Sequence, residues 1–259
     1  MKHLIFRLLI SSVCFFTAFQ ASFAKETTFV SLSPAVTEIF YAIGAQNQLL
    51  GVSTECDYPL DVKKKEKVGN AFYVNKEKLL KLSPDYLVTV EGFQYQNSKN
   101  LNIEIKTVCF QMDSVNSVYN AILSLGKLSG KQIQATKLVK DIDNQILNLK
   151  PHKQKRILYL IQLNPMITVG KKSFLADVIR KSGQINVTDN IDAFYLSVSN
   201  EYLITTKPDI IVICYKSNAE KLKQMFPYTK IIYLTEEQNS IINRPGPNIF
   251  KAVKYFSEL

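Results

Sequence analysis

Tryptophan is absent from the 259-residue chain, histidine occurs twice and cysteine four times. So few imidazoles exclude a His-built metal centre and a chain of His-based acids and bases. Four cysteines over this length exclude a disulfide scaffold. No Gly-x-Ser-x-Gly elbow and no Gly-rich phosphate loop is present. Ser33-Pro34 opens a helical stretch but has no His partner, so nucleophilic hydrolysis and nucleotide chemistry lack their usual signatures. Glu55 and Asp57 lie close in a loop, where nothing makes them converge as an acid/base pair.

What the chain does hold is charge of one sign: 32 Lys and Arg against 22 Asp and Glu, a net charge of +10. The lysines are scattered over residues 63–65, 150–156, 171–172 and 221–230, and no nucleic-acid motif accompanies them. They read as solvated faces. The first 24 residues carry Lys2, His3 and Arg7, an apolar run over 8–19, and Ala21-Ser22-Phe23-Ala24. That is the pattern of a secretory leader cut after Ala24, and the run is short of the ~20 residues of a membrane span. Cys14 belongs to the apolar run of that leader. Export is therefore expected. The remaining 25–259 would carry +8, one histidine (His152, expected exposed) and three cysteines. An odd number cannot pair completely within one chain. Cys109 and Cys214 fall in apolar runs and are expected to be buried, whereas Cys56 falls in a loop and is expected to be accessible.

Strand and helix patterns alternate. Strands are expected at 28–32, 50–52, 86–90, 103–110, 157–162, 210–215 and 230–234. Helices are expected from Ser33-Pro34 to Gly44 and at 75–82, 174–181, 200–206 and 247–257. Such alternation specifies parallel α/β sheets. Between them, residues 115–149 show helical spacing, broken at Ser129-Gly130. The expected layout is a leader (1–24), an N-terminal α/β lobe (25–128), a linking helix (129–150) and a C-terminal α/β lobe (151–259).

The chain also echoes itself. Asn75, Glu77, Leu79, Pro84-Asp85 and Val88 recur as Ser199, Glu201, Leu203, Pro208-Asp209 and Val212 at one offset of 124 residues. An aromatic pair precedes each copy, Phe72-Tyr73 and Phe194-Tyr195. Two similar lobes, each with an aromatic loop before a helix that begins with an acid, can clamp a large flat ligand between them.

The segments Val30-Ser31-Leu32-Ser33-Pro34-Ala35-Val36-Thr37-Glu38, Gly51-Val52-Ser53-Thr54-Glu55-Cys56-Asp57-Tyr58-Pro59, Val68-Gly69, Pro84-Asp85 and Arg244-Pro245-Gly246-Pro247 resemble the cobalamin-binding periplasmic proteins of ABC importers. The wider family also holds haem- and siderophore-binding proteins. The resemblance implies two Rossmann-like α/β lobes joined by a single long helix, with a ligand cleft between them and limited hinge motion. It implies ligand contacts at Ser33, Tyr58, Phe72, Tyr73, Phe93, Phe194, Tyr195 and Arg244. Where the relatives carry Trp, this chain offers only Phe and Tyr. The segment 92–101 is shorter than in the relatives, and Ser182 stands where a disulfide would begin. Glu77 and Glu201 match two lobe-tip acids that dock on the permease, although acids in a first helical turn are also favoured by the helix dipole. The implied ligand is cobalamin or a related corrinoid, with haem and a ferric siderophore as alternatives and an exported enzyme behind them. No catalytic residue, metal site or resident cofactor is expected. The partners expected are permease subunits and the corrinoid, with no nucleic acid, and the chain is expected to be a monomer that does not span the membrane.

Overall fold

The computed structural model describes residues 25–150, 153–215 and 220–259, and omits the side chains of Phe93 and Gln94. The leader with Cys14, and His152, lie outside the described residues. Two α/β units follow one another. The first holds β1 (Phe29–Ser31), α1 (Pro34–Ala42), β2 (Leu49–Val52), β3 (Glu66–Lys67), α2 (Lys76–Leu82), β4 (Tyr86–Val90), α3 (Phe93–Lys99) and β5 (Lys106–Phe110). Its sheet runs β3-β2-β1-β4-β5, and every pairing is parallel. Helices α4 (Val115–Leu128) and α5 (Gln132–Leu147) come next.

The second unit holds β6 (Arg156–Leu163), β7 (Met166–Val169), α6 (Phe174–Lys181), β8 (Ile185–Asn186), β9 (Tyr195–Ser197), α7 (Asn200–Thr206), β10 (Ile210–Ile213), α8 (Glu220–Met225), β11 (Lys230–Tyr233), α9 (Glu236–Ile242) and α10 (Ile249–Ser257). Its sheet runs β11-β10-β6-β7-β9, with β7 antiparallel to both neighbours and β8 on the start of β6. The fold is thus α/β with two lobes.

Local chemistry sets the boundaries. Pro34 takes the first turn of α1, where its missing N–H costs nothing. Ser114 with Ser117, and Thr235 with Gln238, close capping boxes on α4 and α9. At the break expected around Ser129-Gly130, a Cβ on Gly126 would lie 2.4 Å from the Ala135 Cβ, so α4 and α5 pack backbone against backbone. One set of buried side chains is continuous across both lobes. It runs from Phe29, Val36 and Ile39 through Val118, Ile122, Ala135 and Ile142 to Ile157, Val178, Val212 and Phe256. Each buried Val, Ile or Phe among them contributes roughly 1.5–3 kcal/mol by leaving water. A shared core of this extent opposes wide separation of the lobes.

The internal echo is three-dimensional. Asn75 and Ser199 each cap their helix by accepting an N–H three residues on. Ser83 and Lys207 each end it in a left-handed conformation, with φ of 44° and 43°. Leu79 and Leu203 are fully buried beneath the two helices. The aspartate that follows reaches the neighbouring strand in both lobes. Asp85 Oδ2 accepts the Thr28 N–H at 2.8 Å, and Asp209 Oδ2 accepts the Arg156 N–H at 2.7 Å. The Thr28 backbone N–H, then its hydroxyl and Lys25, hold the Asp85 carboxyl below its ordinary 3.8. A carboxylate lowered by folding adds stability that is complete above its unfolded pKa and is lost as pH falls through the folded one. Asp85→Asn is therefore expected to flatten the fall of stability between about pH 5 and pH 2. An acid-unfolding profile as steep as the parent's would refute that assignment.

Several boundaries differ from the sequence reading. The expected 103–110 strand begins at Lys106, and the final helix begins at Ile249, because a turn closed by the Ile249 N–H on the Gly246 carbonyl, with Pro247 inside it, comes before it. Helix α3 and strands β7 and β9 lack a sequence signal strong enough to announce them. Cys56, expected to be accessible, is buried, with its sulfur 3.2 Å from Thr37 Oγ1 and 3.3 Å from Ser53 Oγ. Cys109, expected to be buried, is only half-buried, because β5 is an edge strand of its sheet. Cys214 is buried as expected.

Candidate functional site

In open parallel sheets, ligand sites form outside the C-terminal ends of the strands. Here those ends carry Ser33 after β1, Asp57 and Tyr58 after β2, Val90 at the end of β4, Tyr215 after β10, and α9 after β11. A hydroxyl and thiol cluster locks the first of these loops. Thr37 Oγ1 donates to Ser31 Oγ at 2.9 Å, Ser31 Oγ donates to the Ser33 carbonyl at 3.1 Å, and Thr37 also meets Cys56. Lys67 Nζ donates to the Cys56 carbonyl at 3.1 Å. The β1–α1 turn and the Asp57-Tyr58 loop are thereby fixed to each other. Burial pushes the Cys56 thiol up and outweighs the lowering by its Ser53 and Thr37 hydrogen bonds and by Lys67, so it stays a neutral hydrogen-bonding group.

Two adjoining cavities lie where the lobes meet. One, of roughly 320 Å³, is walled by Glu38, Asp57 and Tyr58 from the first lobe and by residues including Glu237, Arg244 and Lys251 from the second. The other, of roughly 330 Å³, is walled by Ser33, Pro34, Ala35 and Val90 on one side and by Tyr215, Asn243 and Pro245 on the other. Ser240 and Arg244 belong to both.

Arg244 is the electrostatic centre of this junction. Its Nη1 donates to Glu38 Oε1 at 2.6 Å and to Asp57 Oδ1 at 3.0 Å. Asn248 Nδ2 donates to the other oxygen of Glu38 at 3.1 Å. Side-chain exposure is 6% for Glu38 and 20% for Arg244, so this is a largely desolvated pair that ties the lobes together. Burial alone would lower the guanidinium pKa, but Glu38 and Asp57 together outweigh it and hold the group above its ordinary value. The first cavity has three acids and two bases in its wall, a nearly balanced field.

Of the residues singled out from the sequence, Ser33, Tyr58 and Arg244 meet here. Phe72 and Tyr73 are exposed on one loop, and Phe194 and Tyr195 are exposed where a second loop runs into β9; none of the four is in the walls of these two cavities. Each loop rides on a glycine. A Cβ on Gly69 would lie 2.1 Å from the Tyr73 carbonyl oxygen, and one on Gly170 would lie 2.4 Å from that of Ala193. Asn70 fixes the first loop by accepting the Phe72 and Tyr73 N–H groups, both at 2.9 Å, while Gly170 N–H donates to the Phe194 carbonyl. Phe93 begins α3, but its side chain lies outside the described residues. Glu77 and Glu201 are exposed in the first turns of α2 and α7.

Glu38, Asn248, Tyr215, Glu237 and Ser240 were not singled out from the sequence. Glu38 and Arg244 are 206 residues apart, so no local pattern joins them. The two segments that meet at this pair, Ser33-Pro34-Ala35-Val36-Thr37-Glu38 and Arg244-Pro245-Gly246-Pro247, are nevertheless among the most distinctive in the chain.

Two α/β lobes with a shared core, and a cavity walled from both at the strand ends, define the class of two-lobed binding proteins. The chain belongs to the periplasmic binding protein family, whose profile matches residues 29–230. Among curated proteins it is 27% identical over 248 residues to an uncharacterized ABC transporter substrate-binding lipoprotein of Bacillus subtilis, covering 88% of this chain and 78% of that one. It is 25% identical to a vitamin B12-binding protein of Vibrio parahaemolyticus, covering 92% and 91%.

Among solved structures, a possible iron-binding periplasmic protein of Staphylococcus epidermidis superimposes with a TM-score of 0.76 at 28% identity, covering 90% of this chain and 98% of that one. The periplasmic vitamin B12-binding protein of Vibrio cholerae gives 0.72 at 22%, covering 90% and 96%. The periplasmic haem-binding protein of the same organism gives 0.74 at 21%, covering 90% and 98%. No helix among the described residues is long and apolar enough to cross a membrane.

Proposed function

We propose that this chain is an exported binding protein that captures cobalamin or a related corrinoid between its lobes. It delivers the ligand to the permease subunits of an ABC importer, without chemistry. The observation that carries the reading is the inter-lobe cavity pair at Arg244, walled by tyrosines from both lobes and by nearly balanced charge. A polyanionic ferric siderophore would meet Glu38, Asp57 and Glu237 there. A flat, weakly charged macrocycle gains apolar contact from Tyr58 and Tyr215, and Arg244 still has donors beyond Nη1 for amide or phosphate oxygens. The name of the Vibrio parahaemolyticus relative supports the same ligand class. Phe72, Tyr73, Phe93, Phe194 and Tyr195 then act as the outer contacts that replace indoles, and Glu77 and Glu201 as the permease-docking acids.

Haem is the second reading. It is favoured by the exposed Tyr58 in the cavity wall, since a tyrosine phenolate can ligate haem iron. Calorimetric titration of the purified protein with cyanocobalamin, cobinamide and haem separates the two. Saturable binding of one corrinoid per chain is expected, with haem much weaker. Tight haem binding with no corrinoid response would replace the first reading with the second.

A further inference from the structure

The inter-lobe cavity beside Ser33 and Tyr215 has two amides in its wall, one helical turn apart: Asn239 within α9 and Asn243 at its C-terminal cap. A chain of hydrogen bonds behind the wall sets which way each amide faces. Its sense follows from one contact. Asn243 Nδ2 donates to the Asn239 backbone carbonyl at 3.0 Å, and a carbonyl can only accept. The nitrogen of Asn243 therefore faces Asn239, and its Oδ1 faces Tyr159, whose hydroxyl donates to it at 2.9 Å. Tyr159 is fully buried, and that burial above all holds its phenol well above the ordinary 10.0, so the hydroxyl keeps its proton. The phenol oxygen in turn accepts the Cys214 thiol at 3.2 Å. At the other end, Asn243 Nδ2 also donates to Asn239 Oδ1. Every link runs one way, from the thiol through the phenol and Asn243 to Asn239. The oxygen of Asn239 is thereby engaged, and its Nδ2 is left without a partner among the described residues.

We propose that Asn239 Nδ2 is a specificity-determining donor that binds an acceptor oxygen of the ligand, held in that sense by Asn243 and Tyr159. The acceptor on a corrinoid would be an amide carbonyl or a phosphate oxygen. A ligand that seals the cavity takes this N–H out of water, and an amide donor buried without a partner is costly. No carboxylate lines this cavity, and Arg244 reaches the same space with donors beyond Nη1, so oxygen acceptors are favoured there over cations. Asn239 would touch the ligand, whereas Asn243 and Tyr159 would act through it as positioning residues. This rests on the reading of the inter-lobe cavities as the ligand site.

Calorimetric titration of the purified protein and its variants with cyanocobalamin, cobinamide and haem is the test. Asn239→Ala is expected to weaken cyanocobalamin binding about five- to tenfold, the loss of one buried hydrogen bond. Asn239→Asp still offers an oxygen to Asn243 Nδ2 at nearly the same shape, but it has no donor. It is expected to weaken binding more than alanine does, with a thermal midpoint close to the parent's. Were Asn239 only structural, Asn239→Asp would bind like the parent. Cobinamide lacks the nucleotide phosphate, so an equal loss for it assigns the acceptor to a corrin amide, and an unchanged affinity assigns it to the phosphate. Tyr159→Phe is expected to weaken binding about threefold in the parent and not at all on top of Asn239→Ala. Equal losses in both backgrounds would reject Tyr159 as a positioning residue. If the parent takes haem alone, the corrinoid reading falls, and the same losses are expected for haem through its propionate oxygens. If both Asn239 variants bind the parent's ligand as tightly as the parent does, the donor is overturned and the ligand reading stands. No binding of any of the three by the parent would overturn both.

Discussion

Removing Arg244 is expected to destabilise the protein by about 3 kcal/mol, because it strands a carboxylate that is almost wholly out of water. Glu38 is 6% exposed and would keep only Asn248 as a side-chain partner. The figure is set at the lower end for a broken buried pair, since Arg244 itself is 20% exposed. Urea denaturation of Arg244→Met should show the midpoint falling at constant slope. Pairing it with Glu38→Gln should recover much of the loss, because the stranded charge is then gone. Asp57→Asn should cost under about 1 kcal/mol, because Asp57 is well solvated and its pairing is largely offset by water. If Arg244→Met were as stable as its parent, the lobes would not depend on this tie.

Gly69→Ala is the second large effect. The residue has φ of 148°, and its new Cβ would stand 2.1 Å from the Tyr73 carbonyl oxygen. That oxygen accepts the Asn70 N–H at 2.7 Å, and the Gly69 carbonyl accepts the Thr54 N–H at 2.8 Å. The loop must therefore open, and the Phe72-Tyr73 pair must turn away from its present position. A cost of roughly 2–3 kcal/mol is expected from strain and lost hydrogen bonds. Gly44→Ala is the control. It also has positive φ, 72°, but nothing lies within 4 Å of its Cβ, so it should cost only about 1 kcal/mol. If the two substitutions had equal thermal and urea midpoints, the close approach at Gly69 would carry no weight. If the aromatic loop serves the ligand, Gly69→Ala should also weaken corrinoid binding about tenfold or more, while Gly44→Ala should not.

How much of this was legible in the sequence varies with the physics. Strand β4 and helices α6 and α7 are visible because apolar residues recur at the right period and a capping residue, Ser173 or Ser199, marks each helix start. The repeat was legible because helix, stop and aspartate clamp are local devices, each a few residues long. Helix α3, Phe-Gln-Tyr-Gln-Asn-Ser-Lys, has no apolar period, so it carried no signal. Strand β9 exists through its pairing with β7 next to Gly170, a contact between distant segments. Cys56 looked like a loop residue and is one, but its thiol packs against Thr37 and Ser53, which only the fold brings near. The same holds for the site. Ser33, Tyr58 and Arg244 were visible through their motifs, whereas Tyr215 and Glu237 reach the cavity from elements that carry no motif of their own.

The absence of Trp takes its meaning from this geometry. The cavity walls at Arg244 use Tyr58 and Tyr215, and the two outer loops use Phe and Tyr where an indole would offer a broader face. A crystal structure of the protein with cyanocobalamin is the measurement that tests the central claim most directly. The account predicts one corrinoid between the lobes, in contact with Tyr58 and Tyr215, with Arg244 at its polar edge. A corrinoid found outside the cleft, or a protein that crystallises empty at saturating cyanocobalamin and instead takes haem with Tyr58 on the iron, would contradict it.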